Sequence, residues 1–210
     1  LFFYSVVNSL SALSEFAAFF KIGLSHILDV GAYDHVLFIV ALCLQHTWQS
    51  WKPVAAMVTG FTLGHSVTLA LATLHIVSIP SSLVESLIPI TIVLASSQAI
   101  AVSGSAQQSK NSFYIPFARF FLATLFGLVH GLGFSGYLLA LLGDHTSIVI
   151  PLLAFNLGVE LAQLVVVVLS LSLWGFFMLI WRVKRRSIVL VVGGVIIGMA
   201  ISMLQKSWPF

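Results

Sequence analysis

Six stretches of this chain are long and apolar enough to cross a bilayer, and what lies between them is too short to build a soluble domain. A crossing helix needs about 20 mostly apolar residues. The first stretch runs from about Ala32 to His46 and is extended by the apolar segment before it. The others run from Pro53 to His75, Ser82 to Ser103, Ile115 to Leu142, Ile148 to Trp174 or a little beyond, and Ile188 to Leu204. Only 7% of the residues are charged, and 60% are hydrophobic. Soluble domains carry about 25% charged residues. So little charge cannot cover a water-facing surface, which excludes soluble, disordered and nucleic-acid-binding classes. The single cysteine, Cys43, excludes a disulfide framework and a thiolate metal cluster.

The expected fold is therefore all-α: a polytopic membrane helical bundle of about six transmembrane helices. Residues 31–210 should form one bundle, because no linker or low-complexity tract divides them. Residues 1–30 mix Asn8, Ser9, Ser11, Ser14 and Glu15 with Phe and Leu. That mixture suits an interfacial or re-entrant segment. The chain begins at Leu1, and the membrane part of a longer or processed protein is expected.

Basic residues of cytoplasmic loops set orientation. Lys52 lies between spans one and two, Lys110 and Arg119 between three and four, and Arg182, Lys184, Arg185 and Arg186 between five and six. These alternate loops hold seven of the nine basic residues, leaving Lys21 and Lys206 on the other side. Both termini should then lie outside. A weak internal echo accompanies this. Phe61-Thr-Leu-Gly64-His65 resembles Phe155-Asn-Leu-Gly158-Val159, and Gly23-Leu-Ser-His26 resembles Gly127-Leu-Val-His130. Two inverted three-helix repeats would explain it, and such repeats place a site near the midplane.

Ionisable and polar residues inside a membrane are functional candidates by default. His26, Asp29, Asp34 and His35 lie at the outer start of span one, His65 and Ser66 in span two, and His130 in span four. Asn156, Glu160 and Gln163 share one face of span five. At a rise of ~1.5 Å per residue, His35 lies ~6 Å deep and His65, His130 and Glu160 ~15–18 Å deep. Every Lys and Arg falls in a loop, a helix end or a flank, so Asp34 and Glu160 lack a basic partner. They can be protonated, pair with imidazolium, or hold a cation. Two carboxylates among several imidazoles would neutralise one divalent ion. Nitrogen and oxygen donors suit Ni, Co, Zn, Fe or Mn rather than Cu(I). His46, His75 and His145 sit at span ends, where interfacial solvation accounts for them. Cys43 reads as packing, as do Gly193, Gly194 and Gly198, and the five Trp read as interface anchors.

Four ordered blocks, Gly23 to Phe38, Phe61 to Leu69, Phe126 to Phe134 and Phe155 to Gln163, resemble the HupE/UreJ family of membrane proteins linked to hydrogenase and urease maturation. The resemblance covers about residues 20–170. It implies a helical-bundle permease with nickel as the usual proposed substrate. The larger members carry an extracytoplasmic N-terminal domain. Asp34-His35 and Leu63-Gly-His65-Ser66 also look like signatures of nickel/cobalt permeases. Those place a histidine five residues before the Asp-His pair, whereas His26 lies eight before Asp34.

The function expected is a divalent metal permease of a bacterial inner membrane, with Ni²⁺ or Co²⁺ preferred and Zn²⁺, copper or another ion left open. His26, Asp34, His35, His65, His130 and Glu160 are the expected metal ligands. Asp29, Ser66, Asn156 and Gln163 would be pathway or supporting groups. The bilayer and the ion are the expected partners, with a second copy of the chain or a membrane complex left open and nucleic acid excluded. Three other readings stay in view: an intramembrane zinc-type hydrolase, which no H-E-x-x-H motif supports, a haem-binding or accessory subunit, and a metal-free proton relay.

Overall fold

The computed structural model describes residues 2–29, 31, 33–104, 114–142 and 148–208. The polar loop 107–112 with Lys110, and Asp144 and His145, lie outside the described residues. The described helices are α1 (Phe2–Leu28), α2 (Asp34–Cys43), α3 (Trp51–Thr73), α4 (Ser81–Gly104), α5 (Tyr114–Leu142), α6 (Val149–Ile180) and α7 (Arg185–Ser207), with no strand among them. The last five are long and apolar enough to cross a membrane and coincide with spans two to six. Span one is built differently, from two helices with a break between them.

That break follows from local sequence. The Asp29 carboxylate accepts the Gly31 N–H at 2.8 Å, the local turn that Asp side chains favour. Asp34 then occupies the first turn of α2, where a carboxylate complements the helix dipole. With ten residues, α2 is about 15 Å long, half a hydrocarbon core. A capping box of Thr47 and Ser50 shapes the turn into α3. Pro53 falls in the first turn of α3, where its missing N–H costs nothing. The other end of α3 is closed by His75 at φ 56, with the Ile76 N–H bonded to Leu71 O at 2.9 Å, a left-handed cap.

In lipid, helices associate through close packing rather than apolar burial, and glycine permits it. Gly60 faces Phe120 and Thr124, Gly64 faces Thr124 and Leu128, and Gly131 faces His65 and Thr68. The contacts advance together, so α3 and α5 run parallel. The same crossing recurs between α1 and α6. Gly158 faces Phe20 and Leu24 as Gly64 faces Thr124 and Leu128, and Gly23 faces Phe155 as Gly127 faces Phe61. Positions 20, 23 and 24 thus correspond to 124, 127 and 128, and positions 155 and 158 to 61 and 64.

The short link from α5 to α6 makes those spans antiparallel, so the α1–α6 pair points opposite to the α3–α5 pair. The remaining spans close the bundle as an antiparallel pair. Ser96 Oγ donates to Gly193 O at 3.0 Å and Ser86 Oγ to Ser207 O at 2.9 Å. The result is two inverted halves, α1–α4 and α5–α7, and the echo in the sequence marks their equivalent crossings. Their difference is the break: α5 is continuous where α1 and α2 are separate. Lys52, Arg119 and Arg185 mark one end of the bundle, called the basic end below. From there α3, α5 and α7 start, and there α2, α4 and α6 finish.

Several smaller expectations meet the structure here. Cys43 is buried in the core, and Gly193 packs against Ile100 and Ser96, while Gly194 and Gly198 have nothing within 4 Å. Trp48, Trp51, Trp181 and Trp208 are exposed, but Trp174 is buried. His75 is exposed, whereas His46 is buried rather than solvated at the interface.

Candidate metal centre

The break in span one brings four histidines from four helices together. α1 ends two residues after His26, and α2 begins one residue before His35. Both rings therefore point into the space beside His65 of α3 and His130 of α5. Ring centroids are 4.6 Å apart for His26–His35, 5.2 Å for His35–His130, and 5.9 Å for His26–His65 and His35–His65. One ring nitrogen from each of His26, His35 and His65 lies within 4.8 Å of the others. Nitrogens sharing a tetrahedral ion at ~2.0–2.1 Å lie about 3.4 Å apart. The cluster thus needs about an ångström of closure around an ion.

Hydrogen bonds fix which nitrogens face inward. His130 Nδ1–H donates to Phe126 O at 2.9 Å. His35 Nδ1–H points at Asp34 Oδ1, 3.2 Å away. In each ring Nε2 then carries the lone pair. A carboxylate behind an imidazole in this way orients it and raises its basicity as a ligand. Asp34 thus stands behind His35. The Nε2 atoms of all four histidines, and Nδ1 of His65, are buried with no hydrogen-bond partner. A buried polar atom without a partner costs about 1–3 kcal/mol. Five such atoms converge in one space, and three of the four histidines could hold a metal ion between them.

Phenyl rings close the cluster at both ends. Phe38, Phe61 and Phe126 each lie one helical turn from His35, His65 and His130 on the basic-end side. Phe38 and Phe61 approach at 4.9 Å and Phe38 and Phe126 at 5.6 Å. On the opposite side Phe134 and Phe155 stack at 4.9 Å and 13°, and Phe134 covers His26 at 3.9 Å. Phe61 and Phe155 are the equivalent residues of the two inverted halves, so each half contributes one such ring.

The polar face of α6 lies beside this centre rather than within it. Glu160 accepts a hydrogen bond from Thr59 Oγ1 at 2.7 Å and another from the Thr62 hydroxyl, which also lies 3.0 Å from Gln163 Oε1. Glu160 therefore sits on the α3–α6 crossing, one turn to the basic side of the imidazoles. Gln163 is fully buried. Asn156 donates to Leu152 O at 2.8 Å, which leaves its buried Oδ1 unpartnered next to His65. Ser66 donates back to Thr62 O at 2.6 Å. Asp29 is exposed and holds the turn. The aromatic closures and the two threonines under Glu160 went unnoticed in the sequence. Phe four residues before both His65 and His130, and Thr59-x-x-Thr62, are the signals that could have shown them.

Fold and site together define a polytopic membrane protein with a histidine centre enclosed between inverted halves. A family model described as HupE / UreJ protein matches residues 5–208. The chain belongs to the HupE/UreJ family, and membership is consistent with a role in metal transport or as an accessory protein. No curated protein and no solved structure matches it.

Proposed function

We propose that the chain is a divalent metal-ion permease, with Ni²⁺ or Co²⁺ as its substrate. The unpartnered imidazole nitrogens of His26, His35, His65 and His130, enclosed by phenyl rings, carry this reading. Neutral imidazole favours such borderline ions over hard ones. Asp34 supplies a countercharge behind His35, while Glu160 is held apart on the neighbouring crossing by Thr59 and Thr62. The aromatic layers suit an occluded intermediate of alternating access, and inverted halves are the architecture in which such rocking arises. The basic end faces the cytoplasm by the charge rule. This puts both ends of the described chain outside, in a bacterial inner membrane. The intramembrane hydrolase reading finds no H-E-x-x-H motif in the chain to support it.

The test is metal analysis of the purified protein, followed by uptake of Ni²⁺ or Co²⁺ into proteoliposomes. About one equivalent bound and a saturable uptake are expected. No bound metal and no uptake would overturn the proposal. Binding should also weaken as pH falls below about 6.5, the ordinary imidazole value, because a ligating imidazole must be unprotonated. Burial disfavours the charged imidazole and delays that loss, so occupancy that shows no loss at any acidic pH at which the protein stays folded would remove the histidine assignment.

A further inference from the structure

His65 lacks the anchor that two of its neighbours have. His130 Nδ1–H is tied to Phe126 O at 2.9 Å and His35 Nδ1–H to Asp34 Oδ1 at 3.2 Å, so each ring presents Nε2. Both ring nitrogens of His65 are buried without a partner. The ring lies nearly parallel to Phe61, at 6.2 Å and 23°, and to Phe155, at 6.1 Å and 17°. Apolar faces hold the plane of an imidazole, but they do not choose which nitrogen carries the hydrogen. A hydrogen bond at the ring's edge makes that choice.

Asn156, next in sequence to Phe155, is the side chain placed to hydrogen-bond the His65 ring. Its own bond on α6 settles which end of the amide is available. Nδ2 lies 2.8 Å from Leu152 O, one turn back on the helix. A backbone carbonyl only accepts, so the atom bonded to it is the amide nitrogen. Oδ1 is the end left over, buried and unpartnered. An amide oxygen beside an imidazole accepts an N–H, which leaves the lone pair on the ring's other nitrogen.

We propose that Asn156 is a positioning residue for the metal centre: its Oδ1 accepts the hydrogen of one His65 ring nitrogen and commits the lone pair of the other to the ion shared with His26 and His35. It does for His65 what Asp34 and the Phe126 carbonyl do for their rings, the orienting role of a group behind a ligand. His65 is on α3 and Asn156 on α6, so a ligand of one inverted half is set by a residue of the other. This rests on the permease reading above, with His65 as a ligand.

The experiment uses the full chain in detergent, with Ni²⁺ binding and with ¹⁵N-labelled histidines read by NMR in the metal-free protein. Asn156→Leu keeps the volume and loses the acceptor. Its Ni²⁺ affinity should fall about 10–100-fold, the usual loss for a group behind a ligand. Asn156→Asp keeps an oxygen for the ring, and its affinity should return to within a few-fold of wild type. Loss of packing alone would not be rescued in that way. In the metal-free wild type His65 should be one tautomer, its signal identified by its loss in His65→Ala, and Asn156→Leu should give a mixture. If Asn156→Leu does not fold, Asn156→Ala is judged by the same two measurements. Unchanged affinity in the folded variant, no rescue by Asp, or a His65 tautomer that does not respond would overturn the role of Asn156 and leave the permease standing. A wild-type protein that binds no Ni²⁺ would overturn the permease reading instead, and the tautomer measurement, which needs no metal, would still decide whether Asn156 sets His65.

Discussion

Replacing His65 by Ala is expected to cut Ni²⁺ or Co²⁺ affinity at least about 100-fold, since even groups behind a ligand are worth 10–100-fold. His65 is fully buried, lies against His26 and His35, and has both ring nitrogens unpartnered. No neighbouring side chain replaces what it offers. The metal-free variant should be about as stable as wild type. Truncation loses packing, but it also removes two buried, unsatisfied polar atoms. The difference should appear on adding metal. A ligand that binds only the folded state raises stability by about 2.7 kcal/mol at 100 times its Kd. Wild type should show that rise in a thermal melt and His65→Ala should not. Glu160→Gln is the control, because Glu160 bonds to Thr59 and Thr62 and not to the imidazoles. Its affinity should change only a few-fold. A His65→Ala protein that binds normally, or equal losses in both variants, would sink this arrangement of the centre.

The contrast between His65 and Glu160 shows what the sequence could and could not say. Spans two to six were legible from apolar length alone, because lipid enforces helix and length together. The histidines were legible because imidazoles in lipid need a reason to be there. Depth, however, does not give direction around a helix axis. Glu160 shares a level close to that of His65 and His130, yet α6 turns it toward α3 rather than toward the rings. Asp34 lies beside His35 in sequence, and only the break of span one shows that it supports the ring. That break was hidden because Asp29-Val-Gly-Ala-Tyr33 reads equally as a loop outside the membrane. His46 was misplaced for a related reason. A histidine at a span end is usually solvated, but this one is buried beside Met57 of α3, Gln98 of α4 and Phe126 of α5.

The internal echo, weak as text, yields the second large effect. Gly158→Leu should destabilise the protein as severely as Gly64→Leu, although the two share no neighbours. A Cβ at Gly64 would meet the carbonyl oxygen of Thr124, and one at Gly158 that of Phe20. These are backbone atoms of a packed helix, so no rotamer change relieves the clash and the helices must separate. Overpacking of this kind costs about 1–3 kcal/mol or more, and for a chain of this length about 3 kcal/mol lowers Tm by roughly 6–12 °C. Gly194→Ala is the reference. Nothing lies within 4 Å of that position, and alanine gains about 1 kcal/mol in helix propensity over glycine. Metal binding adds a finer reading. Gly158 touches α1 at Leu24, two residues before His26, and Gly64 is adjacent to His65. Either leucine should therefore displace one ligand and weaken Ni²⁺ binding in whatever folded protein survives. Melting in detergent and equilibrium dialysis measure both effects. A Gly158→Leu protein as stable as Gly194→Ala would mean that α1 and α6 do not cross as α5 and α3 do, and the inverted pairing of the two halves would fall with it.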